Sequence, residues 1–370
     1  MRGYGAPMRI AGVDCYRQEQ PFVDGPYVLS GGRVDTGFDS LVVAITTDTG
    51  VVGWGEMAPL GTMYDPAFAE GARAAAPLLA EALVGTDVAS VARTLGSTLK
   101  GHPYAKAAFD MAAWDAVARV AGLPLHDLLG GADGPGTPLY RSIGRAAPED
   151  MAKVAVEYRD RGYRRLQVKV GGDPVADEAG LRAVVDAVPD VMLWCDANGG
   201  WSVADARRFL AATTHLAYTF EQPCASLREC LLLRPHAARP MVLDESITTI
   251  DDVVAAATAG IDGITIKIAR VGGVTPARQL RDAAVALGMI VTVEDTGGAD
   301  IDTAAMAHLS VSTPAARRGH TVDFHHWVTV SNGSGLPSTD DGLLRAPSGA
   351  GLGIDVDRQA LGEPIVTVGS

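Results

Sequence analysis

Apolar and polar positions along the chain change rhythm twice. Leu41-Val42-Val43-Ala44-Ile45-Thr46-Thr47, the turn Asp48-Thr49-Gly50 and Val51-Val52-Gly53-Trp54-Gly55-Glu56 read as a β-hairpin of β-branched residues around a glycine turn. From about Ala67 to Ala121 apolar residues fall at helical spacing in Ala-rich segments, Phe68 to Leu83 and Ala105 to Val120, interrupted by Gly85 and Gly101. Strands followed by helices predict an α+β unit.

From Pro138 short apolar runs recur, each followed by a helical stretch. The runs are Leu139 to Ile143, Leu166 to Val170, Val191 to Cys195, Tyr218 to Phe220, Met241 to Leu243, Gly263 to Ile268, Met289 to Val293 and Thr321 to Phe324. Between them lie helical segments such as Met151 to Arg161, Ala176 to Ala187, Val203 to Ala212, Leu227 to Leu233 and Thr275 to Leu287. Near-continuous apolar strands alternating with helices predict a parallel sheet buried on both faces, and eight such units predict a closed (β/α)8-type barrel. A doubly wound open sheet is the alternative, but its G-x-G-x-x-G fingerprint is missing. The expected division is an α+β unit over 1–130, the barrel over 138–336, and a Gly- and Pro-rich segment, 337–370, that returns to the first unit.

Composition narrows the function classes. Against 44 Asp and Glu stand 31 Lys and Arg, a net charge of −13, with no basic stretch, which argues against a nucleic-acid partner. No apolar run reaches the length of a membrane span, and the N-terminus lacks the apolar core of an export signal, so a cytoplasmic protein is expected. Cys15, Cys195, Cys224 and Cys230 show no C-x-x-C spacing and read as reduced thiols.

The charged residues fall at the ends of the barrel runs. Asp196, Glu221, Asp244 and Lys267 follow one another at intervals of 25, 23 and 23 residues, one per β/α unit, and Lys169 lies inside the second run. Strand C-termini of such a barrel converge on the face that carries its active sites. A lone Asp there is more often a helix N-cap, but independent caps do not give three acids on three successive units followed by a lysine. Three converging carboxylates repel unless a cation lies between them, and hard oxygen donors without His or Cys suit Mg2+, with Mn2+ as the substitute. Alternation along a strand places Gln167 with Lys169, and Thr265 with Lys267, on the inward face, so the two lysines face each other from strands two and six. Such a pair around a cation suits removal of a proton next to a carboxylate, one lysine as base and the other on the opposite face. To act as base a lysine must shed its proton, which requires a pKa below the usual value of about 10.4. Ser97-Thr98-Leu99-Lys100 fits S-x-x-K without companion motifs, and the adjacent His325 and His326 are expected to face opposite ways on a strand, which favours packing over a ligand pair.

At these residues the chain resembles the enolase superfamily, in the branch of muconate lactonizing enzymes and mandelate racemase. The resemblance implies an α+β capping domain completed by the C-terminal segment, Mg2+ on Asp196, Glu221 and Asp244, and proton transfer by Lys169 and Lys267 through an enediolate. Gln167 departs from the Lys-x-Lys that many relatives carry. That glutamine, with Ser30-Gly31-Gly32-Arg33, Gly53-Trp54-Gly55-Glu56, Gly101-His102-Pro103-Tyr104-Ala105-Lys106 and Asp295-Thr296-Gly297-Gly298, is similar to a group acting on proline derivatives, the cis-3-hydroxy-L-proline dehydratases and hydroxyproline betaine epimerases. Dehydration of a cis-3-hydroxyproline-like substrate is the leading expectation and racemisation or epimerisation the second. A non-catalytic acid- or sugar-binding barrel is the reading from another class. The resemblance also implies a homo-oligomer. Tyr64 from the capping unit is expected at the substrate, as is Trp54, with core packing as its equal alternative, and Asp295 and Asp323 are placed by position and charge to meet a substrate ammonium.

Overall fold

The computed structural model describes residues 8–28 and 34–369; Ser30-Gly31-Gly32-Arg33 lies outside the described residues. Strands β1 (Ile10–Pro21), β2 (Gly37–Thr47) and β3 (Val52–Met57) form an antiparallel sheet in that order. Helices α1 (Ala69–Leu83), α2 (Val91–Thr98) and α3 (Pro103–Ala121) cover it. Their shared core includes Leu41, Val43, Ile45, Leu79, Leu95 and Phe109. The Ala-rich face of α3 lies directly against β3. A Cβ at Gly55 would sit 2.0 Å from the Ala108 carbonyl oxygen and one at Gly53 2.2 Å from that of Ala112. The glycines on either side of Trp54 are therefore a packing requirement.

The barrel is built from seven parallel strands hydrogen-bonded in chain order: β4 (Arg141–Ile143), β5 (Arg165–Lys169), β6 (Met192–Asp196), β7 (Thr219–Glu221), β8 (Met241–Leu243), β9 (Gly263–Lys267) and β10 (Ile290–Glu294). Outside them lie α4 (Pro148–Asp160), α5 (Pro174–Ala187), α6 (Val203–Ala212), α7 (Leu227–Leu233), α8 (Ile250–Thr258), α9 (Ile268–Val271), α10 (Val274–Ala286) and α11 (Asp300–Val311). The expected eighth strand, Thr321 to Phe324, is not one. Its place is held by two isolated parallel bridges, Val291 with Arg318 and Leu139 with Thr321, which join β10 to the β4 side. The chain then turns into a single 3-10 turn over Phe324–His326, with Asp323 at its start rather than on a strand.

The last strand, β11 (Val366–Gly369), pairs antiparallel with β1, so the C-terminus completes the capping sheet. On its way it passes the barrel, where Leu343 and Leu344 pair with Thr137 and Pro138. Glu56, at the end of β3, ties cap to barrel. One carboxylate oxygen accepts from Gln20 Nε2 (2.6 Å) and Ser40 Oγ (2.8 Å), the other from the Ala299 and Asp302 backbone N–H groups and Asn332 Nδ2.

Asp115 joins α3 to the C-terminal segment. It is fully buried, accepts from the Trp54 N–H (2.9 Å), the Leu352 N–H (2.6 Å) and Arg119 Nε (2.8 Å), and leaves all three donors orphaned if removed. Asp115→Ala is expected to cost about 3–5 kcal/mol, the size of breaking a buried ion pair. Urea unfolding should show it as a lower midpoint at unchanged slope, and a midpoint like the parent's would refute it.

Among the described residues no helix is long and apolar enough to cross a membrane. Cys15, Cys195, Cys224 and Cys230 are buried free thiols.

Candidate active site

The helices do not use the strand-end acids as caps. α5, α6, α7 and α8 are capped by Asp173, Ser202, Ser226 and Thr249, each accepting from first-turn N–H groups. This leaves Asp196, Glu221 and Asp244 free to face the barrel mouth, where all three are buried. Parallel register sets Lys169 beside Asp196 and Asp196 beside Glu221 in one row, and Lys267 beside Glu294 in another. Residues just after the acids hold strained backbone: Asn198 has φ 44° and Gln222 φ 32°. Side chains pin both. Asn198 Nδ2 donates to Asp196 Oδ2 (2.9 Å) and Glu245 Oε1 (3.0 Å), and Gln222 Oε1 accepts from the Asp244 N–H (2.8 Å).

Each expected acid has its own partners. Asp196 Oδ2 accepts from Lys169 Nζ at 2.6 Å. Glu221 accepts from Gln167 Nε2 and Thr265 Oγ1, both at 3.0 Å. Asp244 accepts from Tyr64 OH (3.0 Å), Lys267 Nζ (2.9 Å) and Arg270 Nη1. Tyr64 OH also accepts from Lys267, whose ammonium lies 4.5 Å from the centre of the Tyr64 ring. Arg270 reaches on to Asp65 of the capping unit at 2.8 Å.

Protonation follows from this crowding. Burial alone would lower both lysine pKa values, as a base requires. With Asp196 turned onto Lys169 and Asp244 onto Lys267, these carboxylates outweigh burial and raise them, contrary to the expectation. A lysine can serve as base only once its carboxylate is drawn away from it. Asp244 feels the same burial, yet Arg270 and Lys267 hold its carboxyl below the usual range. Burial, and then Asp196, Glu294 and Asp244, push Glu221 well up. Glu245 and Glu294 are each pushed up to about 7, mainly by burial.

A cavity opens where the two lysines meet. Phe22, Tyr27, Phe38, Leu60 and Tyr64 line it from the capping side, and Tyr140, Ser142, Gln167, Lys169, Lys267, Glu294, Asp295, Thr296, Phe324 and Trp327 from the barrel. Edge-to-face contacts link the roof, Phe22 to Phe38 at 4.8 Å, Phe38 to Phe324 and Phe324 to Trp327 at 5.5 Å, and Tyr27 to Trp327 at 5.6 Å. The Asp295-Thr296-Gly297-Gly298 turn seats this roof. Thr296 Oγ1 donates to the Ala58 carbonyl (2.7 Å), and a Cβ at Gly297 would come within 2.4 Å of the Phe38 ring.

Of the expected substrate residues, Tyr64 and Asp295 line the cavity and Trp54 and Asp323 do not. Trp54 packs in the capping sheet, 6.1 Å from the Tyr16 ring, under the Arg358 guanidinium. Asp323 is buried at the start of the 3-10 turn, where it pairs with His326 Nδ1 (3.0 Å) and lies 3.7 Å from Arg141. Asp295 is spent on backbone, accepting from the Ala269 and Thr296 N–H groups. Glu294, Glu245 and Arg270 were not anticipated. Strand alternation, which selects Lys169 and Lys267, selects Glu294 by the same rule through Thr292.

Among the described residues no three His, Cys, Asp or Glu are gathered closely enough to hold a metal ion, because Asp196 and Asp244 are turned onto the lysines and Glu221 onto Gln167 and Thr265. The chemistry of the donor set nevertheless fits a hard dication. Asp196, Glu221 and Asp244 are hard oxygen donors at the ends of three adjacent strands, and the negative charge of Asp196 and Asp244 adds to burial in raising the Glu221 pKa.

Known proteins match along nearly the whole chain. Residues 13–130 match the mandelate racemase/muconate lactonizing enzyme N-terminal domain, and residues 150–360 match the enolase C-terminal domain-like family. The chain belongs to the mandelate racemase/muconate lactonizing enzyme family of the enolase superfamily. A cis-3-hydroxy-L-proline dehydratase from Roseibium aggregatum is 39% identical over 363 residues, covering 97% of this chain and 99% of the relative. A hydrophobic dipeptide epimerase from Roseobacter litoralis is 34% identical over 77% of this chain and 83% of its own. Among solved structures, an enolase-superfamily member from Roseovarius nubinhibens ISM, complexed with magnesium, superposes with a TM-score of 0.91 at 37% identity, covering 98% of this chain and 100% of that one.

Proposed function

We propose that this enolase-superfamily enzyme removes the α-proton of a carboxylate substrate and dehydrates a cis-3-hydroxy-L-proline-like amino acid. The observation that carries the reading is the pair Lys169 and Lys267, on β5 and β9, lining one cavity from opposite sides of the barrel. Asp196, Glu221 and Asp244 would hold Mg2+, which when bound supplies positive charge to a substrate carboxylate and to the negative charge that builds there as the proton leaves.

Stereochemistry favours the cis substrate. In cis-3-hydroxyproline the carboxylate and hydroxyl share a ring face, so the α-hydrogen and the hydroxyl lie on opposite faces. One lysine takes the α-proton from one face, the C–H electron pair becomes the C2–C3 double bond, and the C3–O bond breaks on the other. There the second lysine's ammonium protonates the departing oxygen, which leaves as water. The enamine tautomerises to a pyrroline. Epimerisation uses the same two lysines, with the second returning a proton to the opposite face, and the similarity to a dipeptide epimerase supports keeping it as the second reading.

The experiment is incubation in D2O with Mg2+ and cis-3-hydroxy-L-proline, its trans isomer, proline or proline betaine, followed by NMR. Pyrroline from the cis isomer and little from the trans isomer is expected. Deuterium at the α-carbon with inversion and no pyrroline would select epimerisation, and no exchange with any compound would overturn the proline assignment.

A further inference from the structure

One carboxylate of the cavity has no work in the chemistry just described. Glu294, the last residue of β10, is buried beside Lys267, yet Lys267 is turned to Asp244 and Tyr64, and Lys169 to Asp196. Glu294 Oε1 is buried without a hydrogen-bond partner. The nearest basic group, His320 Nε2, stands 3.6 Å away, beyond hydrogen-bond range. His320 is itself wedged between the rings of Trp194 (4.4 Å) and Tyr140 (4.6 Å), and burial keeps it neutral by pushing its pKa down to about 3. The other acid on the wall, Asp295, already accepts from the Ala269 and Thr296 backbone N–H groups. Among the described residues the cavity therefore presents one carboxylate oxygen, Glu294 Oε1, that is desolvated and unpaired, a costly arrangement unless a proton or a cation completes it.

We propose that Glu294 is the subsite for a cationic nitrogen, pairing with the secondary ammonium of the substrate ring and selecting α-amino acids over neutral α-oxygen acids. The assignment rests on the proline-type reading above and replaces Asp295 and Asp323 as the counter-ion. A cyclic amino acid brings one negative and one positive group to the cavity. Its carboxylate belongs with the cation-rich side, around Lys169, Lys267 and the dication, and its ammonium with the one acid left over. A ring oxygen in place of the nitrogen would leave Glu294 buried and unpaired.

The test compares proline with tetrahydrofuran-2-carboxylate, which differs by NH2+ for O, in calorimetric binding to the Mg2+-loaded protein. The parent should prefer proline by roughly 10–100-fold, the worth of a hydrogen bond to a charged group. Glu294→Gln should bring that ratio to within about threefold of unity, Glu294→Asp should recover part of it, and the Mg2+ affinity of both variants should match the parent's. Equal binding of the two compounds by the parent, measurable whether or not a variant folds, would overturn the proposal. So would a ratio that survives Glu294→Gln, or a loss of Mg2+ affinity in that variant, which would make Glu294 a metal ligand. A variant that loses kcat while keeping both KM and the ratio would make it a proton donor instead and would also overturn it. Proton exchange by the parent, followed in parallel, separates these failures from that of the proposed reaction, which falls only if exchange is absent.

Discussion

Lys169→Arg and Lys267→Arg are each expected to lower the rate of α-proton exchange and of dehydration by about 10²–10⁴, the usual contribution of a positioned acid or base. Arginine is the informative replacement. It keeps a cation beside Asp196 or Asp244, whereas alanine would break a buried pair and cost about 3–5 kcal/mol of stability as well. A guanidinium, however, does not give up its proton, so it serves neither as base nor as acid. The variants should therefore unfold like the parent and be inactive. Because the two lysines act on opposite faces of one substrate, the doubly substituted protein should be scarcely worse than either single variant. An arginine variant retaining more than about a tenth of the parent exchange rate, by NMR in D2O, would sink the role of that lysine.

Much of this architecture is legible in the sequence because it depends on local pattern. Helices α6 and α7 run from Val203 to Ala212 and from Leu227 to Leu233, where helical periodicity places them, and β6 to β10 coincide with the apolar runs within a residue or two. Charged residues at the ends of those runs stand out because nothing in a buried parallel strand otherwise tolerates them. What escapes is set by packing between distant segments. The roof joins Phe22 and Phe38 to Phe324 and Trp327, and Arg270 spans Asp65 and Asp244, pairings with no local signature. Trp54 is open in the sequence to either a substrate or a packing role, and the structure gives it packing, with the glycines beside it serving the approach of α3. Asp295 looks like the acid at the end of strand seven, but the strand stops at Glu294 and Asp295 turns to the backbone. Gln167, a departure from the expected lysine, donates to Glu221 and accepts from Ser142 Oγ at 3.5 Å, so it holds an acid in place rather than adding a positive charge beside Lys169.

Asp244→Ala is expected to damage both fold and site. Asp244 takes Lys267 and Arg270 on one carboxylate and accepts a third hydrogen bond from Tyr64. All three side chains lie in the seam between the capping loop and the barrel. Without the acid, two buried cations remain side by side: Arg270 keeps its ion pair with Asp65, while Lys267 loses its ion pair and is left with the weaker influence of Glu294 and Glu245. Breaking such a pair costs about 3–5 kcal/mol, a large part of an ordinary domain's stability. Asp244→Asn, which keeps the shape and one acceptor, should lose less. The pH dependence has a definite sign. Burial opposes ionisation of Asp244, but Arg270 and Lys267 prevail and hold its folded pKa below the unfolded value of about 3.9. Its contribution is therefore in place above pH ~4 and is lost as the pH falls below that, so the parent should lose stability in acid more steeply than Asp244→Asn. Urea midpoints between pH 7 and 3 measure this, alongside Mg2+ titration at pH 7. A parent-like midpoint for Asp244→Ala together with undiminished Mg2+ binding would remove Asp244 from both roles, since either role alone predicts a loss in one of the two measurements.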